Sequence, residues 1–328
     1  MTANIIKVSQ DYRDRLYLYL MQLRPRFGEK YVTFCVEEAC HGDNPQSILA
    51  VNDKDEIVGC HLFFETSARI KGEEKEIVWG HDTYLDEGYR HDIGLDFMLE
   101  VSGVGNMLGY GLSDVNRKIQ KRIPSIVFVE GMLKYFKFTA WGVWGGTKKY
   151  LRCSHIPNRL PSIIRTKGAS FAICDNSAQL DIPNKGYWNK DVQDIEFVRD
   201  EEYMNKRFFN SPVHKYYIYT SQEKDCYFVV RPILFHGIQA LFLVDFRYDM
   251  RQKDRIFDIL DGVEKICRKL HIGIMLTTTN DVNVRSRYGK SVLCKTKNVD
   301  FIANIATGIT AHDTLLVTAA DSDGEYHK

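Results

Sequence analysis

The chain has no CxxC pair, and its eight cysteines are scattered, several of them inside apolar patterns such as "VEKICRKLHI" and "FAICD". Cysteines placed this way act as small buried hydrophobes kept reduced, not as a disulfide framework. Cys35, Cys40–His41 and Cys60–His61 come nearest to a metal set, but the spacing fits no common zinc site, so no metal is expected. Charge of one sign is missing as well. A net +1 over 328 residues excludes the basic surface of a general nucleic-acid or anionic-membrane binder. No apolar run approaches the ~20 residues that span a bilayer. The opening stretch has Asp11, Arg13, Asp14 and Arg15 where a secretory signal needs an apolar core. A cytoplasmic protein without membrane or nucleic-acid partners is the expectation. Neither G-x-x-x-x-G-K-[ST] nor G-x-S-x-G occurs, which removes the main support for P-loop or α/β-hydrolase chemistry. Gly103 and Gly105 in "SGVGNMLGYG" close a helix and precede a strand, the reverse of a dinucleotide fingerprint.

What is present is a pattern used twice. Apolar residues at Tyr12, Leu16, Tyr19, Leu20 and Leu23 predict a helix. "SILAVND" and "EIVGCHLFFETSARI" predict a hairpin through Asn52–Asp53–Lys54–Asp55, followed by a strand over 77–85, a helix from about Gly94, and a strand in "MLGYGLSD". Further on, "KYYIYTSQEKDCYFVVRPILFHGIQALFLVDFRYD" again predicts a hairpin and a strand. A helix follows with Ile256, Ile259, Leu260, Val263, Ile266, Cys267 and Leu270 on one stripe, then the strand "IGIMLTTTND". The displacement of about 165 residues reads as a duplicated unit. Pro157, Pro161 and Gly168 mark the junction, so two α/β (α+β) domains are expected, 1–155 and 156–328, each a mixed, mostly antiparallel sheet flanked by helices. The polar end "ADSDGEYHK" is expected to fray.

The stretch "TYLDEGYRHDIGLDFMLEV" runs from strand to helix through a charged turn. A helix start offers unpaired N–H groups and a partial positive charge, which suits a phosphate. This stretch resembles the central motif of the GNAT acyltransferases, a strand followed by R/Q-x-x-G-x-G/A and a helix; "MLGYGLSDVNRKIQKR" is similar to the strand and Asn-containing helix start that follow it. The resemblance implies two GNAT-like acyl-CoA N-acyltransferase domains, the second with its motif eroded, since "FRYDMRQKDRIFDIL" contains no glycine. It implies coenzyme A binding at Tyr84, Leu85, Arg90, His91, Asp92, Ile93, Gly94, Leu95 and Asn116, with acetyl-CoA or another acyl-CoA as co-substrate. The sequence departs from the pattern at Asp92, an acid beside the expected pyrophosphate, at Leu95 in place of a small residue, and at Gln120, where related enzymes carry a tyrosine. The basic helix Asn116-Arg117-Lys118-Ile119-Gln120-Lys121-Arg122 is read as a solvated face rather than as a contact for the 3′-phosphate of coenzyme A.

Acyl transfer to an amine needs a base, and the strand before the turn offers His81 and Asp82. Strict alternation puts these on opposite faces, so only a bulge lets both serve one cleft. The expected activity is transfer from acetyl-CoA to a small-molecule amine acceptor, such as a nucleotide-linked amino sugar or a peptide amine, by a monomer or homodimer. The alternatives are a non-catalytic scaffold on the same fold and an aminoacyl transferase of the peptidoglycan type.

Overall fold

The computed structural model describes residues 2–25, 27–42, 45–129, 131–139 and 156–321. Its contacts gather the chain into two compact units, residues 1–130 with 300–313 and residues 131–299 with 314–328.

The first unit contains β1 (Ala3–Lys7), α1 (Arg13–Leu23), α2 (Glu29–Ala39), β2 (Ile48–Asn52), β3 (Ile57–Ile70), β4 (Glu73–Leu85), α3 (Arg90–Gly103), β5 (Met107–Tyr110), α4 (Asp114–Gln120) and β6 (Ile126–Val129). The β2–β3 turn forms where expected: the Asn52 side-chain oxygen accepts from the backbone N–H of Lys54 and of Glu56, both at 2.9 Å, which is how asparagine stabilises a tight turn. The strand order is β1-β2-β3-β4-β5-β16-β6, where β16 (Phe301–Asn304) returns from the far end of the chain. Every neighbour is antiparallel except β4 and β5. Helix α3 makes that parallel crossover and buries Phe97, Met98 and Val101 against Val58, Phe63 and Val78.

The second unit contains β7 (Leu133–Phe138), β8 (Ile163–Arg165), β9 (Ser170–Cys174), β10 (Ile195–Phe197), β11 (Tyr217–Ser221), β12 (Cys226–Phe235), β13 (Ile238–Tyr248), α5 (Asp254–Lys269), β14 (Ile274–Thr279), α6 (Val282–Tyr288) and β15 (Cys294–Asn298). Its main sheet runs β15-β7-β14-β13-β12-β11-β9-β8, again with one parallel pair, β13 with β14. The α5 stripe is completely covered at Ile256, Ile259, Leu260, Val263, Ile266 and Cys267. Burying an aliphatic side chain of this size contributes about 1.5–3 kcal/mol, so the helix is fixed by its packed face.

Both units therefore have the mixed, mostly antiparallel sheet flanked by helices. The division differs from the expectation. The junction 155/156 lies at the edge of residues 140–155, outside the described residues, and contacts divide the chain at 130/131. The reason is strand pairing: β7 joins β14 in the second unit, whereas β16 joins β5 in the first. The chain end also differs in part. Ala320 and Asp321 are buried, and Asp321 pairs with Arg199; residues 322–328 lie outside the described residues.

Candidate functional site

In the β3–β4 ladder, Leu62 pairs with His81 and His61 with Thr83, so Asp82 is left without a partner. It is a bulge residue with φ 46, a left-handed conformation that aspartate tolerates better than most side chains. The bulge meets the condition set by the alternation argument, because two consecutive side chains now share a face. The His81 Nε2 lies 3.8 Å from the Asp82 Oδ2.

The surroundings come from the first two helices. Arg24, at the C-cap of α1, pairs through Nη2 with the Asp82 Oδ1. Its guanidinium stands 5.7 Å from the Phe27 ring, and Phe27 packs on Tyr31 at 4.8 Å. The Tyr31 hydroxyl and the His81 Nε2 share a 2.9 Å hydrogen bond, and the His81 ring stacks on Phe64 at 4.2 Å. Among the described residues, no hydrogen-bond donor reaches the Asp82 Oδ2. A buried carboxylate oxygen left this way costs about 1–3 kcal/mol or more unless something binds it. Cys35 also lies beside His81, its Sγ 3.5 Å from Nε2. This is not a nucleophilic triad, because thiol and carboxylate face the same ring nitrogen, whereas a relay needs them on different ones.

Strand β4 leaves its parallel neighbour at the same place. Ladder pairs join it to β5 only at Val78 with Met107 and Trp79 with Leu108, so the bulge falls where the two strands part. Gly80 is required there: a Cβ on it stands 2.9 Å from the His61 Nε2. That imidazole is held by the Thr83 hydroxyl, 2.7 Å from its Nδ1.

The strand end feeds α3 through a single turn, Glu87–Tyr89. The helix begins at Arg90, with Tyr89 as an N-cap that supplies no side-chain bond. This corrects the expected start near Gly94. Arg90, His91, Asp92 and Ile93 form the first turn, and Gly94 and Leu95 lie inside the helix. Gly94 needs no left-handed backbone; its missing side chain faces Leu85, whose Cδ2 is 3.8 Å from an ideal Cβ. The Arg90 Nε donates to the Leu85 carbonyl at 2.8 Å, and the guanidinium lies 5.8 Å from the Tyr84 ring. Tyr84, Leu85 and Arg90 are thus brought together at the helix start. His91, Asp92 and Leu95 are exposed, and Ile93 packs on the α3 core. Tyr19 approaches from α1, its hydroxyl donating to the Asp86 Oδ1 at 3.2 Å, and burial pushes its phenol up.

Asn116 sits in the first turn of α4, its backbone N–H donating to the Ser113 hydroxyl at 3.2 Å. Arg117 of the basic run is engaged by Asp300, 2.6 Å from its Nη2, and half-covered, so that residue is not simply solvated. Gln120 is buried and accepts from the Ser102 hydroxyl at 3.1 Å. Its side chain is packed in the interior.

The second unit repeats the geometry without the chemistry. Val229 pairs with Asp245 and Val230 with Leu243, which leaves Val244 as the bulge residue, fully buried and apolar. The neighbouring Asp245 is saturated. Arg199 and Arg247 each donate to it at 2.9 Å, Tyr227 at 2.8 Å and Thr318 at 2.6 Å. Burial opposes its ionisation, but the two guanidiniums overcome that and hold its carboxyl below the usual range. Among the described residues no group of three or more metal-ligating side chains is found, and no helix is long and apolar enough to cross a membrane.

The mixed sheet with one helix-linked parallel pair is shared with solved structures of the GNAT fold, and this chain has that fold. Solved structures similar to it include a GCN5-related N-acetyltransferase from Anabaena variabilis (TM-score 0.53, 10% identity, 92% of this chain and 72% of that one). Another is Saccharomyces cerevisiae N-myristoyltransferase with bound myristoyl-CoA (TM-score 0.56, 9% identity, 92% of this chain and 82% of that one). No protein-family model and no curated protein matches the sequence. At such identities the likeness carries the fold, and the chemistry has to be argued from the residues.

Proposed function

We propose that the chain is an acyl-CoA-dependent N-acyltransferase with its working site in the first unit. The observation that carries this reading is Asp82: a buried carboxylate on a bulge, with one oxygen unoccupied, where β4 parts from β5. An amine brought to that oxygen loses its proton to Oδ2 as the nitrogen attacks the thioester carbonyl. The C–N bond forms, the C–S bond breaks, and the thiolate leaves to be protonated by solvent, since Gln120 is turned into the core. Backbone groups of β4 beyond Trp79, which have no ladder partner on β5, supply donors for the carbonyl oxygen. Of the two candidate bases, Asp82 acts on the amine. His81, with a side chain 1% exposed, stands behind it against Tyr31.

We assign the pyrophosphate of the acyl-CoA to the uncapped first turn of α3, at the N–H groups of His91 and Asp92, with the Arg90 guanidinium beside it. Tyr84 and Leu85 flank the thioester arm, Gly94 faces Leu85 from the helix, and Asn116 borders the site. His91 and Asp92 contribute backbone N–H groups, and Leu95, exposed one turn further on, borders the site. Acetyl-CoA is the proposed donor and a small-molecule amine in the cytoplasm the acceptor. The second unit, with Val244 at the matching bulge, has no base to offer and serves as a degenerate partner.

The test is calorimetric titration with acetyl-CoA and with myristoyl-CoA. Binding at one site per chain is expected, weakened about tenfold or more in Arg90→Ala through loss of a charge-assisted contact. Absence of binding by either thioester contradicts the proposal.

A further inference from the structure

We infer that Arg24 is a positioning residue for the Asp82 carboxylate, holding one oxygen so that the other is directed to the acceptor amine. This rests on the acyltransferase reading above and deepens it. An arginine free to choose its geometry takes a carboxylate by both oxygens through its planar fork. Here the hydrogen bond runs from the Arg24 Nη2 to the Asp82 Oδ1 alone, and the His81 Nε2 stands 3.8 Å from Oδ2. The pair is asymmetric in exposure too, with 30% of the Arg24 side chain accessible against 2% for Asp82.

Both members are fixed from outside the pair. Asp82 is fixed by its left-handed backbone in the bulge. Arg24 is fixed by its place at the end of α1 and by the Phe27 ring under its guanidinium. Phe27 then packs on Tyr31, Tyr31 bonds His81, and His81 adjoins Asp82 in sequence. The contacts form a closed circuit around the Asp82 Oδ2, the atom the reaction uses, which has no hydrogen-bond partner among the described residues. Attracting a counter-charge to Oδ1 also offsets the cost of burying the carboxylate. A purely structural ion pair would stabilise the fold in the same way; it would not set the rate per folded molecule.

The experiment follows CoA release from acetyl-CoA with three primary amines: glucosamine, a lysine-containing peptide and a peptide with N-terminal glycine. Wild type, Arg24→Gln and Arg24→Lys are compared, with the melting temperature of each recorded. In Arg24→Gln, kcat is expected to fall about 10²-fold while the KM for acetyl-CoA stays within about twofold, as for a misplaced base. Arg24→Lys, which keeps the charge and loses the fork, should lie between the two. Should the Gln variant fail to fold, the Lys variant carries the test by the same kcat and KM split. Wild-type kcat in folded Arg24 variants overturns this inference and leaves the acyltransferase reading standing. No CoA release by the wild type with any of the three amines overturns both.

Discussion

A β-bulge puts one residue out of register, and in β4 that residue is Asp82, with φ 46 and a side chain almost fully covered. A left-handed backbone on a side-chain-bearing residue stores about 1–2 kcal/mol, and a buried carboxylate adds to that. Both features gain a purpose where a base must be aimed. The sequence showed His81 and Asp82 as neighbours but not which one faces the substrate, because the bulge depends on pairing with His61 and Leu62 of another strand. Arg24 was invisible for a similar reason: 58 residues separate it from Asp82, and no local pattern links the end of one helix to the middle of a later strand. Gly94 shows the opposite error. It was read as a phosphate-loop glycine, and it lies inside the helix with room for a side chain. An alanine Cβ there meets only Leu85, at 3.8 Å. Gly94→Ala is therefore expected to stabilise the chain by about 0.5–1 kcal/mol, the ordinary gain from removing a mid-helix glycine. Thermal unfolding checks it, and a lower melting temperature contradicts the packing described.

At the scale of elements, periodicity did most of the work. The α5 stripe from Ile256 to Cys267 was read from spacing alone and is fully buried. Hairpin, strand, helix and strand occur in both units in the expected order. Helix starts were less legible. No Ser, Thr, Asp or Asn caps α3; Tyr89 stands there and gives no side-chain bond, so the usual boundary signal is missing and the glycine was taken for the start. An uncapped helix start leaves its N–H groups available, and that availability is what the proposed phosphate contact uses. The parting of β4 from β5 cannot be read from either strand alone, since it is a property of their pairing.

The whole chain exchanges strands between its units. β7 precedes the second unit's other strands yet pairs with β14, and β16 returns to pair with β5. Composition shifts near Pro157 and Pro161 mark a linker-like stretch, but a strand's membership is decided by its partner. The second unit also carries a pH dependence. Burial pushes the His214 imidazole down to about 3, helped by Arg231 and Arg207, from an ordinary value near ~6.5. The unfolded chain therefore binds this proton first as pH falls. The stabilisation is complete above pH ~6.5 and is lost progressively between there and pH ~3. Asp245, held below the usual carboxylate range, adds a second loss only at the acid end of that window. The melting temperature of wild type should decline from pH 6.5 to 4, and that of His214→Gln should decline less. Parallel curves would show that His214 is not buried neutral.

The central claim, that a carboxylate on the β4 bulge is the base of an acyl-CoA-dependent transfer, is tested most directly by Asp82→Asn. The substitution keeps the side-chain shape and removes the ability to take a proton. With an amine that the wild type acylates, kcat is predicted to fall about 10²–10⁴-fold, the usual contribution of a general base, while calorimetry shows acetyl-CoA binding unchanged. An Asp82→Asn chain that binds acetyl-CoA and releases CoA at the wild-type rate contradicts the account.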